Sequence, residues 1–168
     1  GYYGQDNLCR LIESLGAQTG DVVTLAAPHG AWLQIVDVVE PVGEAGLIRK
    51  GSRVPAMTSV VGRAFLAAQT DDEIARWINR TPDARRLDEA TIQEVMGSVA
   101  AARKAGFASG VSNQGDMFSI AIALPKSTAA VQLVLGLAGP PKRTEDRRDQ
   151  LVAMMRATIA AHLSPAHP

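Results

Sequence analysis

The stretch Met117–Ala138, MFSIAIALPKSTAAVQLVLGLA, decides how the rest of the chain is read. In Ser119–Leu124, bulky Ile120, Ile122 and Leu124 alternate with small Ser119, Ala121 and Ala123. After a turn over Lys126–Ala130, Val131, Leu133, Leu135 and Leu137 alternate with Gln132, Val134, Gly136 and Ala138. Strand side chains point to opposite faces in turn. The segment therefore predicts a hairpin of strands Met117–Pro125 and Val131–Ala138, with one filled face and one shallow face. Small residues on a strand either admit a close helix or leave room for a ligand. The pattern by itself leaves both open.

Working outward, Phe107–Ser112 predicts a further strand, joined to the hairpin by a turn at Asn113–Asp116. Asp21–Pro28 and Trp32–Glu40 are rich in Val, Ile and Leu and flank His29-Gly30, which predicts a second hairpin. Pro41–Pro55 reads as a loop with a short strand near Leu47–Arg49. Helical spacing of Leu8, Leu11, Ile12 and Leu15 predicts a helix over Gln5–Gln18, stopped by Gly16 and Gly20. Another helix starts at Thr58 or Ser59 and runs to Ala68. Thr70 and Glu73 stand at capping-box spacing before a helix to Asn79. Thr81-Pro82-Asp83 reads as a turn. Thr91 and Glu94 repeat the capping pattern before a helix that ends at Gly106. Gly139-Pro140-Pro141 breaks the chain, and Thr144 caps a last helix to Leu163, followed by a frayed tail. Helices grouped between sets of antiparallel strands predict an α+β fold rather than a doubly wound one.

The 168 residues are enough for one domain with a real core, and 46% hydrophobic with 20% charged is a globular composition. Lys and Arg number 17, as do Asp and Glu, so the formal net charge is zero. Nucleic-acid-binding surfaces carry a positive excess, so none is expected to dominate here. One cysteine, Cys9, excludes a disulfide framework and fits a reducing compartment. No apolar run reaches the roughly 18 residues of a membrane span, and no signal peptide is expected.

Catalytic chemistry finds little support. The three histidines, His29, His162 and His167, do not have metal-ligand spacing. No Gly-x-Ser-x-Gly elbow and no phosphate loop occurs. No catalytic residue, metal site or cofactor is expected. The start of the helix at Thr58 or Ser59 is more informative. Free N–H groups beside a hydroxyl form an anion site at a helix N-terminus, although most such residues are ordinary caps.

The segment Val54–Ala67, VPAMTSVVGRAFLA, resembles the Pro-Leu-His…Gly-Lys-Ala…Leu-Ala signature of the IclR family of bacterial transcriptional regulators. Ala102–Ala108 is similar to the family's Ile-Arg-x-x-Gly-Tyr-Ala, and Ser119–Pro125 to its strand ending in Ala-x-Pro. Leu135–Pro140 with Arg143 is similar to its Leu-Ser-Val-Ser-Gly-Pro…Arg. Each motif is loose, but the four occur in order, and the likeness extends from about Leu8 to Leu163.

The resemblance implies the family's C-terminal effector-binding domain, a GAF-like antiparallel sheet with helices on its faces, occupying residues 1–168 as a single domain. It implies a cytoplasmic protein that meets DNA only through an N-terminal winged helix-turn-helix outside this sequence. It further implies a homodimer or homotetramer. A start at Gly1 rather than Met fits a domain cut from a longer protein, and neutrality fits a sensor half. The alternative is a GAF-like sensor coupled to a different output domain.

Carried over position by position, the effector site comprises Ser59, Val60 and Val61, then Ser109, Met117 and Ser119, then Gly136 and Ala138. The family usually has a polar residue where Met57 stands, small residues near Val60 and Val61, and Ser-x-Ser where Gly136 and Ala138 stand. The pocket is therefore expected to take a mostly apolar carboxylate-like effector, an aromatic acid being one such ligand. The Ser59 and Ser119 hydroxyls and the N–H groups near Val60 and Val61 would hold its polar end. No Arg or Lys falls on a carried-over pocket position, so a strongly charged ligand would be poorly compensated.

Overall fold

A computed structural model describes residues 2–41, 48–80, 87–112 and 115–163. Helix α1 (Tyr2–Thr19) leads into strands β1 (Val22–His29) and β2 (Trp32–Val39), and a short β3 (Arg53–Pro55) follows. Helices α2 (Val60–Ala67), α3 (Asp71–Arg80) and α4 (Glu89–Ala105) come next. Strands β4 (Ala108–Val111), β5 (Phe118–Ala123) and β6 (Val134–Gly139), then helices α5 (Pro141–Asp146) and α6 (Arg148–Leu163), complete the chain. The six strands form one antiparallel sheet in the order β3-β2-β1-β6-β5-β4. The α+β class expected from the sequence is the one found.

Alternation along the strands splits the core into two layers. Leu11, Ile12 and Leu15 of α1 and Leu151, Val152 and Met155 of α6 pack against one sheet face. Ile120, Ile122, Leu135 and Leu137, the bulky set of the opening stretch, supply that face. On the other face, Ala64, Phe65 and Leu66 of α2 and Val95 and Val99 of α4 pack over Ala121 and Val134. Phe65 and Trp77 meet edge to face, with ring centroids 5.1 Å apart.

Local sequence signals set many of the boundaries. Thr70 and Glu73 close a reciprocal capping box, with N–H to oxygen distances of 3.0 and 3.1 Å. Gly106 ends α4 with a left-handed φ of 83°. Arg103 ties the α2–α3 corner together, donating to Ala67 O, Gln69 O and the Asp71 carboxylate.

Several boundaries differ from expectation. Gly16 does not stop α1. It lies inside the helix, where a Cβ would come 2.8 Å from Val39 Cγ1, so its smallness lets α1 sit close on β2. The cap of α4 is Asp88 rather than Thr91, whose N–H donates to Asp88 Oδ1 at 2.8 Å. Thr144 is buried inside α5, and the last helical stretch breaks at Arg147 into two helices. Of the short strand expected near Leu47–Arg49, Leu47 lies outside the described residues, and Ile48 and Arg49 are not extended-paired. The third strand is Arg53–Pro55 instead. The turn at Thr81-Pro82-Asp83 and residues 164–168 of the tail lie outside the described residues, as do Asn113 and Gln114. His162 and Leu163 remain helical.

Candidate ligand-binding cleft

The small residues of the opening stretch meet two fates. Near Ala121 the sheet is covered by α2. Further along, Ser119, Gly136 and Ala138 are left as the floor of a half-open cleft of about 480 Å³. Cross-strand pairing brings them together: Ser119 pairs with Ala138, and Gly136 pairs with Thr24 of β1. Both options for a small strand face are thus realised, at different ends of one hairpin.

The roof is the segment from β3 into α2. Gly62 permits it, because a Cβ there would stand 2.1 Å from Ala56 O. The loop backbone lies directly on the first turn of the helix. Ser59 is the N-cap, accepting from Gly62 N at 2.9 Å and donating to Pro55 O at 2.5 Å. Its hydroxyl proton is therefore committed within the roof. Val60 and Val61 N–H precede the first intrahelical acceptor and remain donors. The two side chains reach down to the sheet, with Val61 Cγ2 3.5 Å from where a Gly136 Cβ would be.

Seven of the eight site residues expected from the sequence line this cleft: Ser59, Val60, Val61, Met117, Ser119, Gly136 and Ala138. Ser109 does not. It pairs with Ile120, whose side chain belongs to the α1–α6 layer, so strand alternation sends Ser109 to the opposite face. Gly110, paired with Ser119, holds the cleft-side position, and a Cβ there would lie 3.6 Å from Val60 Cγ2. Met57 is buried in the core and leaves Thr58 on the cleft.

Two residues missed by the sequence reading matter most. Thr24 is 4% exposed and lines the cleft. Its signal was a lone hydroxyl in the apolar run Val22–Leu25. Arg49 lines the cleft on the connection from β2 to β3. Arg49 is not one of the carried-over positions, and it supplies a cation where poor compensation of a charged ligand was expected, since a loop residue's position depends on how the sheet curls. Asp116 lines it from the connection between β4 and β5, accepting from Ser112 Oγ at 2.6 Å. Ile35, Ile48, Val54 and Val111 supply apolar wall.

Among the described residues, no group of His, Cys, Asp and Glu could hold a metal ion, and no helix is long and apolar enough to cross a membrane. His29 stands at the end of β1, its Nε2 accepting from Arg53 at 3.2 Å.

Similar folds occur in solved structures. The effector domain of the putative transcriptional regulator IclR from Acinetobacter sp. ADP1 aligns with a TM-score of 0.81 at 16% identity, covering 97% of each chain. An IclR family transcriptional regulator from Brucella abortus aligns at 0.73 and 23% identity, covering 92% of this chain and 61% of that one. An IclR homolog from Microbacterium hydrocarbonoxydans, complexed with 4-hydroxybenzoate, aligns at 0.76 and 14% identity, covering 95% and 68%. At these identities the likeness establishes the fold. The chain thus spans less than two thirds of the Brucella regulator's length. No curated protein matches it by sequence. The family model of the bacterial transcriptional regulator IclR C-terminal domain matches residues 7–164, and the chain belongs to that family.

Proposed function

We propose that this chain is the small-molecule-sensing and oligomerisation half of a bacterial transcription regulator. The observation that carries the reading is the cleft between the sheet and the start of α2. Its walls are mostly apolar, and a few polar groups converge on it: Val60 and Val61 N–H, Ser119 and Thr24. Such a combination is what a small-ligand site requires. The ligand fitting it is a small carboxylate with an apolar, aromatic body. The complex of the Microbacterium homolog with 4-hydroxybenzoate supports that class.

In this reading the protein works in the cytoplasm as a homodimer or homotetramer. DNA is contacted by a winged helix-turn-helix domain outside these residues. Effector binding biases the relation between protomers and so the spacing of the DNA-binding domains. Catalysis has no part in it.

Isothermal titration with a panel of aliphatic and aromatic carboxylates and their neutral analogues tests the ligand class. Tightest binding by an aromatic monocarboxylate is expected, and preference for a dicarboxylate overturns it. Sedimentation velocity of the chain tests the association, with a dimer or tetramer expected and a monomer at all concentrations contradicting it.

A further inference from the structure

The cleft is lined by two opposite charges carried on connections from the two ends of the strand order. Arg49 stands on the connection between β2 and β3, at one end of the six-stranded order, and Asp116 on the connection between β5 and β4, at the other. Both are exposed, and both line the same cleft. The ion pairs among the described residues join Arg103 to Asp71, Arg143 to Asp21 and Arg148 to Asp149, so neither of these charges is spent in one. Ser112 Oγ donates to Asp116 Oδ1 at 2.6 Å and fixes the carboxylate at the hairpin's base.

The two groups ask for different things. A guanidinium only donates, and in a fork that matches a carboxylate. A carboxylate only accepts, and Asp116 has room for more bonds than the one from Ser112. An apolar molecule with a single polar end engages one of the two charges and leaves the other to solvent. We propose that Arg49 and Asp116 select an effector with a carboxylate at one end and a hydroxyl or amino donor at the other, a hydroxy- or amino-substituted acid. The proposal rests on the reading of this cleft as the effector site. It adds that both ends of the ligand are read, by residues outside the motifs that identified the family.

The test is titration calorimetry of the chain with benzoate, 4-hydroxybenzoate, 4-methoxybenzoate and 4-hydroxybenzamide. The expected order places 4-hydroxybenzoate about 10-fold tighter than the methoxy acid, which lacks the donor. It is likewise about 10-fold tighter than the amide, which lacks the charge, each step being one charge-assisted hydrogen bond. Asp116→Ala erases the first ratio and keeps the second. Arg49→Met erases the second and keeps the first, and Arg49→Lys restores part of it. Both sites are exposed, so an unchanged melting temperature verifies that each variant is folded. Tight binding with ratios that neither variant moves overturns the two-ended assignment and leaves the sensor reading intact. Binding of an aliphatic dicarboxylate with none of the aromatic probes overturns the sensor's proposed ligand class, and this inference with it.

Discussion

Gly62 of α2 lies so close to Ala56 that a Cβ on the glycine would sit 2.1 Å from the Ala56 carbonyl oxygen and 2.5 Å from its carbon. Both obstacles are backbone, so no rotamer change relieves the clash. The roof of the cleft can rest on the helix only because residue 62 has no side chain. Gly62→Ala is expected to destabilise the protein by about 3 kcal/mol, at the upper end of overpacking costs. Gly97 is the counterpart, exposed in α4 with nothing within 4 Å of a Cβ. Gly97→Ala should stabilise by about 1 kcal/mol through helix propensity and a less entropic unfolded chain. Urea unfolding of the two variants checks both signs.

Arg143 and Asp21 connect α5 to the start of β1. The Asp21 side chain is fully buried, Arg143 Nη2 lies 2.5 Å from its Oδ1, and Oδ2 has no partner among the described residues. Removing the arginine strands a buried carboxylate, which costs several kcal/mol where the pair is fully buried. Arg143 is about half exposed, so water screens part of this, and Arg143→Met should cost about 2 kcal/mol. Asp21→Asn in the Arg143→Met background should recover part of that loss, since the uncompensated charge is gone. No recovery in thermal melts would mean that Arg143 acts by packing alone.

Acid should loosen two helix starts. The Thr70 backbone N–H and hydroxyl hold the Glu73 carboxyl below its ordinary value, and hydrogen bonds from Thr91 do the same for Asp88. A carboxyl whose folded value is depressed contributes stability that is present above its unfolded value. That contribution disappears as pH falls through the lower, folded value. The caps are thus intact at neutral pH and lost below the ordinary carboxylate range. Asp88→Asn, which still caps but does not titrate, should flatten the acid limb of stability against pH. An unchanged limb would show that exposed caps make no measurable contribution.

The opening hairpin was legible because its alternation is local: large and small residues sort onto two faces without reference to anything distant. The Thr70–Glu73 box and the Gly106 cap were legible for the same reason. The pairing of β1 with β6, which brings Thr24 beside Gly136, joins residues more than a hundred positions apart, and no spacing rule announces it. Gly16 was misread because a glycine that ends a helix and one that admits a neighbouring strand look alike in sequence. Ser109 was misplaced by a single step of a period-two pattern, which is enough to change faces. Arg49 sits on a connection whose course depends on how the finished sheet curls, so a motif-based reading passed over it.

Thr24 gives the sharpest separation of stability from binding. The residue is buried at the cleft floor, and its hydroxyl stands 2.5 Å from where a Gly136 Cβ would be. A hydroxyl on the floor of a mostly apolar cleft is a group to which the polar end of a ligand can hydrogen-bond. Thr24→Val preserves shape and deletes the hydroxyl. It should leave stability unchanged or raise it by about 1 kcal/mol. The same variant should weaken binding of the preferred carboxylate by about 10-fold. Paired melts and titrations decide the matter. Equal affinity with higher stability would remove Thr24 from the site. Lower stability with equal affinity would show that ordered water satisfies the hydroxyl and that it serves the fold alone.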